Sequence, residues 1–206
     1  MFLRNITASL VLVLGSTMAY ADADSQLEST AWHLPPIAAT VYGEALRAAD
    51  AAELQSMIVT RVLDRYAAER YLGVEGAELT AFVDNMRRGM AAEGLTADEG
   101  LTPEEKEEVD AMRRELGRAM IRQWKVNKSL YKTYGGRIIY QQLGPEPLDA
   151  YRQYFEERQA AGDFTFDSPA MEAQFWDYFR NESRHDFMEP GGVDESHAFT
   201  TPPWET

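Results

Sequence analysis

Apolar residues recur at helical spacing along most of the chain after residue 50. Four of them between residues 51 and 71 lie four positions apart: Leu54, Ile58, Val62 and Tyr66. This period is typical of an amphipathic helix, and Asp50 stands where an N-cap is expected. Further helices are predicted at 77–90, 103–134, 148–162 and in a segment that starts at Ser168-Pro169.

The longest predicted helix runs from Pro103 to Tyr134. Its start signal is strong, because Thr102 is a good N-cap, proline suits the first turn and Glu105 follows the cap by three residues. Gly135-Gly136 ends it. Over roughly eight turns, one face is apolar except at Asn127, and its members are Val109, Met112, Leu116, Met120, Trp124, Leu130, Tyr131 and Tyr134.

Two short segments do not distinguish strand from helix. Ile37–Leu46, with Gly43 as a turn, suits a strand or a helix start, and Arg137–Tyr140 suits a strand or a helical turn. Residues 163–167 alternate between polar and aromatic side chains. The chain from 189 to 206 has little periodicity, so it is predicted to be a tail that is either flexible or draped over the domain.

The predicted fold class is therefore all-α, a multi-helix array around the helix at 103–134, with one short strand pair left open. The helical domain spans residues 22–188. It has a first part at 37–90 and a C-terminal helical part at 103–188.

The N-terminus has the organisation of a secretory signal peptide. Met1–Asn5 carries one positive charge, an apolar run follows from Ile6 to Met18, and Ala19-Tyr20-Ala21 is a small-x-small cleavage signal. The run is shorter than the ~20 residues that span a bilayer, so an uncleaved anchor is the weaker alternative. Cleavage is expected between Ala21 and Asp22, which predicts a periplasmic or secreted protein without stable membrane insertion.

Charge and composition exclude several functions. The chain has 20 basic and 34 acidic residues, and removal of residues 1–21, with Arg4, changes the net charge from -14 to -15. Such a surface repels nucleic acids and anionic lipids. Cysteine is absent, which excludes disulfides and thiol nucleophiles.

No motif names a reaction, a metal or a cofactor. The three histidines, His33, His185 and His197, have no metal-ligand spacing, and no nucleophile elbow surrounds a serine. Adjacent glutamates such as Glu104-Glu105 point in different directions on a helix. We therefore assign no catalytic, metal or cofactor-binding residue.

Aromatic and methionine side chains supply the candidate binding residues, because they offer large and adaptable contact area. The predicted peptide-binding residues are Met86, Met90, Trp124, Tyr131, Tyr134, Tyr140, Phe175 and Trp176. The alternative is that they form the core. Arg118, Arg122 and Lys125 form a cationic stripe that faces either the acidic first half of the chain or an acidic partner.

The first half resembles a known family. The segments Ala38-Ala39-Thr40-Val41-Tyr42-Gly43-Glu44, Leu54–Tyr66, Ala67–Val74 and Glu78-Leu79 are similar to the N-terminal domain of SurA-type periplasmic chaperones, over residues 37–90. Tyr42 replaces the asparagine usual in that turn. The resemblance implies a helical domain that binds unfolded chains, with 104–134 as a helix that packs back onto it. The linker at 91–101 is too short to hold a parvulin isomerase domain, so isomerase activity is not implied.

Three functional hypotheses remain open. The first is an exported, non-catalytic chaperone or holdase that binds unfolded or apolar protein segments. The second is an accessory or inhibitor protein dedicated to one secreted partner. The third is an enzyme with a carboxylate-based site, for which buried carboxylates with a raised pKa would have to converge.

Overall fold

The computed structural model describes residues 34–95 and 98–205. The predicted signal peptide and its cleavage site at Ala21 and Asp22 lie outside these residues. Of the helices described, none is long and apolar enough to cross a membrane.

The protein is mainly helical and contains a small sheet. In chain order its elements are β1 Ile37–Val41, β2 Glu44–Arg47, α1 Ala51–Glu69, α2 Gly76–Ala92, α3 Pro103–Tyr134, α4 Leu148–Ala160, β3 Phe164–Phe166, α5 Pro169–Arg180, a 3₁₀ turn at Glu182–Arg184 and α6 Val193–His197.

The prediction of an all-α fold needs correction, because the sheet has three strands. β1 is central and pairs antiparallel with β2 on one side and with β3 on the other. Tyr42 and Gly43 connect β1 to β2 with φ values of 50° and 82°, and two consecutive left-handed residues make a type I′ hairpin turn. The ambiguous segment at 37–46 is therefore a hairpin, and the alternation at 163–167 marks the third strand.

Side-chain caps fix the helix starts that the sequence predicts. Asp50 Oδ1 accepts a hydrogen bond from the backbone N–H of Glu53 at 2.8 Å. At α3, Thr102 and Glu105 form a reciprocal capping box. These caps satisfy N–H groups that have no partner within the helix.

The main core joins both halves of the chain. It packs the sheet and α1 against α4, α5 and the C-terminal half of α3. Its largest fully buried side chains include Tyr66, Phe155, Phe164 and Phe175. Residues on either side of the linker therefore bury one another, and the first half has no separate core.

A smaller cluster holds α2 against α3. Leu79, Phe82 and Val83 from α2 contact Ile121 from α3. A Cβ at Gly117 would lie 2.9 Å from Leu79 Cδ1 and 3.0 Å from Phe82 Cδ1. Gly117 thus allows the two helices to approach closely.

The predicted apolar face of α3 is wrong in its N-terminal half. The buried residues there are Arg113, Gly117 and Ile121, whereas Met112 is 62% and Leu116 45% exposed. The buried stripe rotates around the helix because α2 packs on a different face from the one that the main core uses further along.

Residues 189–205, for which the sequence left a flexible or a draped tail open, lie against the rest of the protein. α6 lies in this segment, and Phe199 and Trp204 are buried. Phe199 packs with Ile138 and Met188 in a third cluster, and Trp204 joins the cluster between α2 and α3. Large aromatic side chains thus anchor a segment that has no helical period.

Candidate functional site

The structure divides the predicted peptide-binding residues into separate groups. Phe175 and Trp176 are buried in the main core, so their assignment as binding residues is corrected to a structural role. Tyr134 packs at the edge of that core, and its hydroxyl donates to Glu157 Oε2 at 2.8 Å.

Trp124, Tyr131 and Tyr140 lie together, and residues 193–205, here called the C-terminal segment, cover them. The Trp124 ring meets Trp204 edge-on at 5.2 Å between centroids. Tyr131 contacts Phe199 at 5.3 Å, and the Tyr140 hydroxyl donates to Asp194. Three of the predicted residues therefore contact a segment of the chain itself, which consists of α6 and the turns that follow it.

Helix geometry explains this grouping. Trp124 and Tyr131 are seven residues apart, so they lie on the same face of α3, about two turns from each other. α3 ends at Gly135, whose φ is 67°, and the chain then returns through Ile138 and Tyr140 beside the same face. We call Asn85, Met86, Trp124, Tyr131 and Tyr140 the α2–α3 aromatic surface.

Trp204 occupies the α2 side of this surface. Its ring belongs to the buried cluster that also contains Leu79, Phe82, Val83 and Ile121, and Met86 packs against this cluster. Its backbone carbonyl accepts a hydrogen bond from Asn85 Nδ2 at 2.9 Å. A side-chain amide that binds a main-chain carbonyl holds a peptide irrespective of its sequence.

An open groove of about 770 Å³ adjoins Trp204. Its lining residues are Ala81, Asp84, Asn85, Arg87, Arg88, Trp204 and Glu205. The groove therefore lies along α2 beside the end of the described C-terminal segment.

Met90, another predicted binding residue, is not part of the α2–α3 aromatic surface. It lines a separate groove of about 240 Å³ with Arg87, Leu95, Asp98 and Arg113. Arg113 is buried there and donates to Asp98 Oδ1 at 2.7 Å and to Asp110 Oδ1 at 2.9 Å. The ion pair with Asp98 ties the linker to α3, whereas Asp110 lies on α3 itself, so the polar residues of this groove have a structural role.

The cationic stripe faces partly toward the first half of the chain. Arg122 pairs with Asp64 on α1, and Lys125 pairs with Glu78 on α2 at 2.7 Å. Burial is the largest single influence on Glu78 and opposes its ionisation, but the hydrogen bonds from Lys125 and the Glu75 backbone N–H, together with the positive charge of Lys125, outweigh it and hold the pKa of Glu78 below its ordinary value. Arg118 is exposed.

A carboxylate-based catalytic site has little support. Burial raises the pKa of Glu146, whose Oε1 accepts a hydrogen bond from the Tyr178 hydroxyl at 3.0 Å. Within residues 34–95 and 98–205, no other carboxyl group contributes to this shift. The same ranges contain no group of three or more His, Asp or Glu residues arranged to hold a metal ion.

Three residues at this site were not among the predicted binding residues: Phe199, Trp204 and Asn85. Phe199 and Trp204 have no periodic neighbours, and the signal that identifies them is two large aromatic residues in an otherwise polar, proline-containing segment. Asn85 is a polar residue on an amphipathic helix, and only its hydrogen bond to the Trp204 carbonyl indicates that it can bind a peptide backbone.

Comparison with known proteins found no matching protein family, no matching curated protein and no matching solved structure.

Proposed function

We propose that the protein is an exported, non-catalytic chaperone-like protein that binds aromatic-containing segments of other polypeptides on the α2–α3 aromatic surface. The observation that carries this proposal is that the C-terminal segment of the chain itself occupies this surface. Phe199 packs on Tyr131, and Trp204 packs on Trp124. The resemblance of residues 37–90 to the SurA-type chaperone domain supports the same class of function.

The contacts suit a ligand of varied sequence. Aromatic and methionine side chains tolerate different apolar partners, and Asn85 binds a backbone carbonyl. Because the C-terminal segment is tethered, it competes with an effective concentration on the order of millimolar. A client must therefore displace it, and its apparent affinity falls with the fraction of molecules whose surface is vacant.

Peptide exchange tests this proposal. A labelled peptide with the sequence of residues 193–206 is titrated into the chain from Asp22 to Thr206, and into its Trp204→Ala variant. We expect the peptide to bind the variant about tenfold more tightly or better, because the resident segment is weakened and the added tryptophan fills the vacant site. A peptide with alanine at that tryptophan is the control and should bind neither protein.

Failure of the peptide to bind the folded Trp204→Ala variant would contradict the proposal. If that variant does not fold, Trp204→Phe, which keeps an aromatic anchor, replaces it in the same titration. Suppression of aggregation of a denatured model protein near equimolar amounts would then identify a general chaperone. Peptide binding without suppression would favour an accessory protein dedicated to one partner.

A further inference from the structure

A second surface lies on the N-terminal half of α3. Met112 and Leu116 are exposed there, and the half-buried Val109 and Met120 continue the row at helical spacing. We call these four residues the α3 stripe. Large exposed apolar side chains in a continuous row mark interaction sites more often than isolated ones do.

One border of the α3 stripe is acidic. Glu104, Glu108 and Glu115 follow at intervals of four and seven residues, so they form a row along one side of it. All three are exposed, and none forms an ion pair within the described ranges. At the far end of this border, Arg122 is paired with Asp64.

The acidic border of the α3 stripe indicates which kind of polypeptide can bind there. A second copy would bring another chain of net charge -14 and would place Glu108 and Glu115 near an identical acidic row. Residues 22–33 contain Asp22, Asp24 and Glu28 and no lysine or arginine, so they do not complement the border either. A basic amphipathic segment complements both the apolar row and the acidic one.

We infer that the α3 stripe docks a basic amphipathic helix of a partner protein, with apolar residues on Met112 and Leu116 and lysine or arginine beside Glu108 and Glu115. Met112 and Leu116, which would contact the helix, are not part of the α2–α3 aromatic surface, so the inference does not rest on the proposed function.

The test uses the full chain from Asp22 and a synthetic helix of leucine and lysine, with a matched peptide in which glutamate replaces lysine. The leucine–lysine peptide should bind with micromolar affinity that weakens as salt increases, and the leucine–glutamate peptide should not bind. Leu116→Lys should lower the affinity at least tenfold. Leu143→Lys makes the same change at a leucine that is 52% exposed elsewhere and should change it less than twofold.

A second matched pair tests the acidic border. Glu108 borders the stripe, whereas its neighbour Glu107 is exposed on the opposite side of the helix. Glu108→Lys should lower the affinity at least fivefold and Glu107→Lys less than twofold, with unchanged circular dichroism in both. If the two variants of either pair lose the same affinity, the net charge of the protein alone attracts the peptide, and the inference is overturned. Equal binding of the leucine–lysine and leucine–glutamate peptides would also overturn it.

Discussion

Tyr71 occupies the position after α1 that favours glycine. Its φ is 56°, and the N–H groups of Tyr71 and Leu72 donate to the carbonyls of Ala68 and Ala67 at 3.2 and 2.9 Å. This is the Schellman arrangement, in which the residue after the C-cap is left-handed. The Tyr71 side chain is 95% exposed, so few contacts offset the strain of the backbone.

Tyr71→Gly should therefore stabilise the protein. The left-handed conformation costs an ordinary residue about 1–2 kcal/mol, and part of this gain is lost to the greater freedom of glycine in the unfolded chain. We expect the free energy of unfolding, measured in urea, to rise by about 0.5–1 kcal/mol. Tyr71→Ala removes the ring but keeps the strain, so an equal gain in that variant would contradict this explanation.

Glu146 is a residue whose charge opposes folding. Burial raises its pKa above the ordinary value of 4.5, so the folded state binds this proton more tightly than the unfolded state does. The resulting stabilisation is complete below pH 4.5 and is lost as the pH rises through the folded pKa.

Glu146→Gln should consequently increase stability at pH 7 and lose this advantage at pH 4. The glutamine carbonyl can still accept the hydrogen bond from Tyr178, so the substitution removes the charge and keeps the contact. Melting temperatures of the two proteins at both pH values measure the effect. A difference that is the same at both would mean that Glu146 is not preferentially protonated in the folded state.

At the scale of elements, two glycines in helix interiors should respond differently to alanine. Gly89 in α2 has open space around its Cα, whereas a Cβ at Gly117 in α3 would contact Leu79 and Phe82 at about 3 Å. Gly89→Ala should raise the free energy of unfolding by about 1 kcal/mol through helix propensity. Gly117→Ala gains the same propensity but must displace two side chains, so we expect no net gain or a loss.

The comparison within this pair isolates the packing of α2 on α3. Both substitutions replace the same residue by the same residue in a helix, so the propensity contribution cancels in their difference. Thermal or urea unfolding gives both values. Equal stabilisation would show that the contact between the two helices at Gly117 is loose.

The helices were predictable because their signals are local. Asp50, Thr102 and Gly135 act within a few residues of their own positions, and the structure places a cap or a helix end at each. Strand signals were present at 37–46 and 163–167, but their assembly into one sheet was not predictable, because β1 pairs with β3 across more than 100 residues of chain. The buried face of α3 changes with its partner, so periodicity alone placed Met112 and Leu116 on the wrong side.

The candidate site was predictable only in part for the same reason. The clustering of aromatic residues identified Trp124, Tyr131 and Tyr140, which do lie together. It also selected Phe175 and Trp176, because composition does not distinguish a core aromatic residue from one at a binding surface. The C-terminal segment has no period, and only its long-range contacts show that it is folded onto the domain.

At the scale of the whole molecule, the main core and the α2–α3 cluster should differ in stability. The main core joins the sheet with α1, α4 and α5 and contains most of the buried side chains. The α2–α3 cluster contains five buried residues, one of which is Trp204 from the C-terminal segment. Regions with fewer buried contacts open at lower free energy than the rest of the structure.

Trp204→Ala should thus loosen α2 without unfolding the main core. Loss of a buried tryptophan costs about 3–5 kcal/mol, and we expect this cost to appear as faster amide hydrogen exchange in α2 and in the first half of α3. Exchange in α1, α4 and α5 should stay close to the wild-type rate, whereas Phe155→Ala in the main core should accelerate exchange throughout. If Trp204→Ala deprotects α1 as strongly as α2, the two clusters unfold together. The C-terminal segment would then be an integral part of the core, which a client could not displace.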